Sequence, residues 1–239
     1  KSRMVVRRIA RFPRRAASTV AGIGLALALL IMSEHFPIAM DRILDINFGI
    51  AQRMDVTVAF AEAVDDRVLR DAARLPGVLA VEPLRTAGVV LVAGSRRQRD
   101  AIVGVPRGAL LNRVLDERRR GIDPGREGLT LAWSLARKLG VGVGDRVRVE
   151  ATDGRRVVVD VPVIAIVKPY LGAPAYMELD ALNRLLREPG RVTSAYLLLD
   201  ERQRARFNAA VKQMPAIAGV TFADNAEASL RGLFEQGSG

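Results

Sequence analysis

Few residues in the chain have the types and spacing that chemistry requires. The 239 residues include no cysteine and one histidine, His35. That composition excludes disulfide frameworks, thiolate zinc sites and histidine metal clusters. A serine activated by histidine would have to use His35, which borders a long apolar segment and which we interpret as an interfacial residue. The sequence therefore predicts no catalytic, cofactor-binding or metal-binding residue, and a protein that is not an enzyme.

Three alternate glycines look at first like a phosphate-binding loop. Gly140, Gly142 and Gly144 follow a predicted helix and precede a predicted strand, whereas a dinucleotide loop follows a strand and opens a helix. We therefore interpret them as a helix stop and a turn, with Asp145 opening the next strand. The chain has no Walker-type Gly-Lys-Ser/Thr sequence, so any ATP hydrolysis is expected from a separate polypeptide.

Two aromatic positions could serve as contacts for a ligand or a partner. Trp133 is predicted to be a core anchor, and Ser134 beside it lacks the flanking glycines of a nucleophile elbow. The sequence KPYLG at residues 168–172 predicts an exposed turn. Lys168, Tyr170 and Leu171 in this turn are the candidate contacts with a partner or substrate, and a plain loop is the alternative.

The positive charge of the chain is concentrated at its start. The formal net charge is +11, and the first fifteen residues carry seven Lys and Arg and no acidic residue. The remainder holds 30 basic and 26 acidic residues. A nucleic-acid-binding domain should carry its basic surface on the folded part, whereas this cluster directly precedes an apolar segment. It predicts a membrane partner and no nucleic acid.

The apolar segment predicts a membrane anchor. Residues 16–33 contain no charge, which is at the lower end of spanning length. We predict a basic cytoplasmic arm at 1–15 and a single transmembrane helix at 16–36, with the residues after about 34 extracytoplasmic because the arginines stay inside. Residues 37–53 predict an amphipathic stalk. A cleaved signal peptide and a buried globular helix are the alternatives.

The body of the chain contains two similar strand-helix-strand units. The first has a strand at 55–60, a helix at 68–75 preceded by Asp65 and Asp66, and a strand at 78–81. The second has a strand at 195–199, a helix at about 201–213 and a strand at 219–222. The match indicates one α+β domain whose halves are separated by an insertion. Chance similarity of two common units is the alternative.

Between these units the pattern is rich in strands. It predicts a hairpin of 87–93 and 101–105 across a polar turn at 94–99, a strand-helix at 129–139, a hairpin of 147–150 and 157–167 joined through Asp153-Gly154, a strand at 175–177 and a helix at about 180–186.

The order of these segments resembles a known family. The sequences LAWSLARKLGVGVGDRVRVE at 131–150, VPVIAIV at 161–167 and AYMELDALNRLL at 175–186, together with the apolar segment at 13–31, resemble FtsX-like and MacB-like ABC transporter permeases. The resemblance implies a periplasmic core domain of two subdomains: a porter-like βαβ-repeat subdomain at 54–122 and 191–223, and an inserted β-rich sabre-like subdomain at 123–190. It also implies a returning helix and a short tail at 224–239.

The resemblance also implies a role and partners. The chain would be an extracytoplasmic domain and anchor helix in the bacterial inner membrane. A cytoplasmic ABC ATPase, together with other permease helices or a second permease copy, would drive export or extraction of a lipoprotein, hydrophobic peptide or drug. No cofactor is expected in this chain. The alternative is a single-pass envelope binding or scaffold protein with no transport role.

Overall fold

The computed structural model describes residues 22–27, 53–111, 121, 124–125, 127–168 and 174–224. The chain divides into two compact units, residues 1–45 and 46–239. In the first, residues 22–27 are helical and exposed. The arm, the stalk, and the rest of the predicted transmembrane helix lie outside the described residues, apart from Arg53. None of the helices in the described ranges is both long and apolar enough to span a membrane.

The second unit is a mixed α+β structure with much sheet and few helices. The elements, in chain order, are β1 (Val56–Asp65), α1 (Val68–Ala73), β2 (Val78–Ala93), β3 (Arg96–Val105), β4 (Leu129–Ala132), α2 (Trp133–Leu139), β5 (Arg146–Ala151), β6 (Val158–Val167), β7 (Ala175–Glu178), α3 (Leu179–Leu185), β8 (Arg191–Leu199), a 3₁₀ turn (Glu201–Gln203), α4 (Arg204–Val211) and β9 (Ile217–Phe222).

The two predicted strand-helix-strand units interlock in one four-stranded sheet, which we call the split sheet. Its strand order is β2-β8-β1-β9, and the three pairings are antiparallel. Each unit is therefore opened to admit a strand of the other, which is the split βαβ arrangement. The strands and helices predicted for the two units are present, whereas their assignment to a porter-like subdomain stays a prediction.

Alternation of side chains explains the core of the split sheet. Val56, Val58 and Phe60 on β1 are buried, while the residues between them are partly exposed, as expected for a strand with one covered face. They pack with Phe207 of α4, which is fully buried and meets the Phe222 ring edge-on at 6.3 Å between centroids. Leu197 and Leu199 of β8 complete the same core.

The strands between the two units close into a ring, which we call the barrel. Its order is β2-β3-β7-β4-β6-β5, with β5 paired to β2 again. A closed ring leaves no free strand edge among its members. A second hydrophobic core fills it, and its fully buried members include Leu91, Ile102, Leu129, Leu131 and Leu182.

Strand β2 belongs to both structures. Residues 78–84 pair with β8 in the split sheet, and residues 85–93 pair with β3 in the barrel. The sequence had predicted two separate strands, at 78–81 and 87–93, and this prediction is wrong. Pro83 does not interrupt the strand because this part of β2 pairs with β8 alone, so its missing N–H lies on the edge side.

Two further predictions need correction. The predicted polar turn at 94–99 is only Gly94 and Ser95, and the arginines after it belong to β3. These arginines lie on the solvent-exposed face of the barrel, where charged side chains are compatible with a β-strand. Arg97, for example, forms an ion pair with Glu150 of β5 at 2.7 Å. The predicted core anchor Trp133 is 43% exposed, because α2 turns Leu135, Ala136 and Leu139 toward the core instead.

The predicted glycine stop after α2 and the aspartate contact before α1 are confirmed. Gly140 has φ of 70° and ends α2, and Asp145 accepts a hydrogen bond from the Gly142 amide at 2.8 Å. Asp65 accepts one from the Arg67 amide at 3.0 Å before α1. The proposed subdomain boundary at 122/123 remains a prediction. The barrel core begins within β2. Its first member is Ala87, and the buried Leu84 before it is not part of that core.

Candidate functional site

The structure has two places where unusual side chains meet: the junction of the split sheet with the barrel, and the outer face of α2. The junction lies where β2 leaves the split sheet and where the chain returns from α3 into β8. At the junction, both passages of the chain between the two sheets bring together residues that are far apart in sequence. The sequence analysis predicted neither passage.

Arg85 is the central residue of the junction. It is 4% exposed, and its Nη2 donates to Glu188 Oε2 at 2.5 Å while its Nη1 donates to Asn183 Oδ1 at 2.8 Å. Asn183 in turn donates to the Arg191 carbonyl at 3.1 Å. The network therefore joins β2, the end of α3 and the start of β8. Because buried charges are stable only when paired and hydrogen-bonded, it fixes these crossings relative to one another.

The segment around Glu188 is conformationally constrained. Arg187 has φ of 57° and Gly190 has φ of 65°, so two left-handed residues flank the carboxylate. On its other side, a Cβ placed on Gly154 would lie 2.4 Å from Glu188 Oε1. The turn between β5 and β6 thus needs glycine at 154, both for its φ of 60° and for its approach to Glu188.

A cavity of about 570 Å³ opens beside this network. The split sheet contributes Glu62 and Arg191 to its walls, and the barrel contributes Asp153 and Arg155. Arg191 Nη1 donates to the Ala63 carbonyl at 3.1 Å across one wall. The lining thus balances charges of both signs, and it contains no histidine or cysteine.

The buried carboxylate of Glu82 holds the loop after β3 beside β2. Glu82 Oε2 accepts hydrogen bonds from the Leu110 amide at 2.7 Å and the Leu111 amide at 3.0 Å. Arg53 donates its backbone N–H to the Leu111 carbonyl at 2.7 Å. The loop after β3 is therefore tied both to β2 and to the segment that enters β1.

The outer surface of α2 brings an exposed aromatic residue among cations. We call it the tryptophan face, and it consists of Trp133, Ser134, Arg137 and Lys138 with Arg96 and Lys168 beside them. The Arg137 guanidinium lies 4.5 Å and the Lys168 ammonium 5.3 Å from the centre of the indole. Arg96 Nη1 donates to the Arg137 carbonyl at 3.5 Å, at the end of the helix.

This surface contains one of the predicted contact residues. Lys168 is exposed and lies over Trp133, while Tyr170 and Leu171 lie outside the described residues. Their role stays a prediction. The tryptophan itself was missed, although a signal existed: Ala132, Leu135, Ala136 and Leu139 follow the i, i+3, i+4, i+7 stripe of a buried helix face, and Trp133 lies off that stripe.

A further group of charged side chains lies at the start of α4. Arg204 donates to Asp224 at 2.7 Å and to Glu201 at 3.0 Å, and these carboxylates, Asp224 first, raise the pKa of Arg204 above its ordinary value. The group is a cation at any physiological pH, so no titration follows from it. Within the described ranges no three histidine, cysteine or acidic residues are grouped as metal ligands.

Comparison with known proteins gives structural similarity only. No protein-family model and no curated protein matches the sequence. The periplasmic region of MacB from Actinobacillus actinomycetemcomitans is 11% identical, with a TM-score of 0.49 over 80% of this chain and 98% of that one. The extracellular domain of the noncanonic ABC-type transporter YknZ from Gram-positive bacteria is 11% identical, with a TM-score of 0.47 over 70% and 99%. Similarity of this size supports no conclusion about function.

Proposed function

We propose that the chain is the extracytoplasmic domain and anchor helix of an ABC transporter permease subunit. In this role it transmits movement, driven by a cytoplasmic ATPase, to a substrate such as a lipoprotein, hydrophobic peptide or drug. The proposal starts from the sequence resemblance over residues 13–31 and 131–186 and from the basic arm that precedes an apolar segment. It requires no catalytic residue in this chain, because the work lies in a change of conformation.

The observation that supports the proposal is the continuous strand that connects the split sheet to the barrel, which we take to be stiff. Strand β2 runs without a break for 16 residues and contributes to both. The buried Arg85–Glu188–Asn183 network braces the same junction from the side of α3 and β8. A body that transmits force needs such a connection, since a flexible linker would absorb the movement of the helices.

Topology and partnership are tested first. Protease added to intact spheroplasts should cleave the domain after residue 34, and cleavage only after lysis would refute the orientation. The proposal predicts that a gene for an ABC ATPase lies beside the gene for this chain, and that the chain, expressed with that ATPase, copurifies with it and supports ATP turnover in nanodiscs. Copurification of no ATPase would favour the single-pass scaffold protein instead.

The stiff connection is tested by distance measurements. The chain has no native cysteine, so Arg99→Cys in the barrel and Arg206→Cys on α4 can be spin-labelled without background. The distance between the labels should be the same with and without ATP and vanadate, whereas each label's distance to lipid labels in the bilayer should change. A change of the distance within the domain would refute rigid transmission.

A further inference from the structure

The tryptophan face differs from the rest of the barrel surface in composition. Its helix, α2, has the sequence WSLARKL and contains no carboxylate. On other parts of the barrel, Arg97 is paired with Glu150 and Arg148 with Asp160. Asp145, the acidic residue that follows α2, is engaged by the Gly142 amide. The face therefore presents cations beside an exposed indole without a carboxylate on its own helix.

The indole is held in place rather than loosely exposed. Arg137 is four residues after Trp133 on α2, so the two side chains are neighbours on one helix surface. Lys168 approaches from the end of β6. Cations over an aromatic ring are attracted by its quadrupole, and here they come from two elements. The helix itself is fixed by Leu135, Ala136 and Leu139 in the barrel core.

These residue types match the polar boundary of a bilayer. Tryptophan is enriched at that depth because its ring is apolar and its N–H is polar. Arginine and lysine beside it can bury their aliphatic stems and keep their charges at the lipid phosphates. A recess for a protein side chain is not needed, and the cavity at the junction does not include any residue of this face.

We infer that the tryptophan face docks on an anionic bilayer surface, with the Trp133 indole at the headgroup boundary and Arg137 and Lys138 on lipid phosphates. Arg96, which donates to the Arg137 carbonyl at the end of α2, adds a further cation to the same contact. The inference does not depend on the proposed transport role, since it concerns only where one surface of the barrel binds.

Trp133 is the one tryptophan of the chain and reports its own contact. The full chain in phosphatidylcholine nanodiscs is mixed with vesicles of brominated phosphatidylcholine, alone or with brominated phosphatidylglycerol. Trp133 emission should be quenched and shifted to the blue only by the vesicles that contain phosphatidylglycerol. The basic arm also attracts such vesicles, but quenching by brominated chains requires contact at Trp133 itself.

Matched variants separate the face from general charge. Arg137→Gln and Lys138→Gln should each raise about fivefold the concentration of phosphatidylglycerol vesicles that gives half-maximal quenching. The reason is that one cation at the surface contributes about 1 kcal/mol to binding. Arg206→Gln on α4, an exposed helix arginine on the split-sheet side, should leave the dependence unchanged. The three variants change only exposed side chains.

Three results would overturn the inference. Equal quenching by both kinds of vesicle would remove the role of the cations. Equal weakening by Arg206→Gln and Arg137→Gln would show that the arm or overall charge is responsible. A shift of Trp133 emission by soluble polyglutamate, without quenching by vesicles, would assign the face to an acidic polypeptide. Each result is independent of the ATPase experiments.

Discussion

Replacing Arg85 and replacing Glu188, which form an ion pair at the junction, should lower the free energy of unfolding by different amounts. Arg85 has a side chain 5% exposed, and Glu188 is 22% exposed. Glu188→Leu leaves an unpaired guanidinium charge in the interior, so the free energy of unfolding should fall by about 3 kcal/mol. This is the lower end of the usual range, because water reaches the position of Glu188. Arg85→Met leaves a carboxylate that can turn to water and one unsatisfied Asn183 oxygen, so about 1–2 kcal/mol is expected.

The pair can be isolated by a double-mutant cycle. Arg85→Met with Glu188→Leu removes both charges, so the double variant should destabilise the fold no more than Arg85→Met alone, which gives a coupling energy of at least about 3 kcal/mol. The control is the exposed pair of Arg97 and Glu150, whose oxygen and nitrogen are also close, at 2.7 Å. Glu150→Leu should cost less than about 1 kcal/mol.

Urea unfolding of the full chain in one detergent, followed by circular dichroism, measures these differences. All variants should keep the same slope against urea, so that midpoints convert to free energies. Equal losses for Glu188→Leu and Glu150→Leu would refute the account, since they would mean that burial of Arg85 has no energetic weight. A larger loss for Arg85→Met than for Glu188→Leu would refute the assignment of Arg85 as the deeper charge.

Four further substitutions test the packing and the loop after β3. Gly128→Ala should lower the urea midpoint of unfolding strongly, because φ is 121° and the new Cβ would lie 2.7 Å from a backbone carbonyl oxygen. Gly144→Ala is the comparison, and it should lower the midpoint less because its φ is 95° but the space around it is open. Paired urea curves measure the difference. Phe207→Ala should cost about 3–5 kcal/mol, since the ring is fully buried, and a loss below about 1 kcal/mol would contradict that core. Glu82→Leu should speed hydrogen exchange at the two loop amides that its carboxylate accepts, without changing exchange in α3; unchanged rates would mean that another group holds the loop.

Local patterns predicted the elements more fully than the way they meet. Alternation at 56–60, the glycine stop at Gly140 and the prolines at 76 and 215 each act within a few residues, so the strand-helix-strand units could be found. Arg85 and Glu188 are 103 residues apart. Their contact depends on the pairing of β2 and β8, and nothing in the sequence next to either residue indicates it.

Trp133 shows the opposite case, in which a general tendency misled. Tryptophan is mostly buried, so an isolated Trp beside a strand was assigned to the core. The helix that contains it is only seven residues long, and its rotation is set by three smaller side chains. Reading the buried stripe of the helix before the size of the residue would have placed the indole outside.

The sharing of β2 has a consequence for the order in which the polypeptide becomes native during synthesis. All barrel strands have emerged from the ribosome by residue 178, while the split sheet still lacks β8 and β9. The barrel can therefore form first. Residues 78–84 are then already an ordered strand edge before their partner β8, which lies more than a hundred residues later in the chain, is synthesised. Since a slip of one residue would turn every side chain to the wrong face, that early edge fixes the alignment of everything added afterwards.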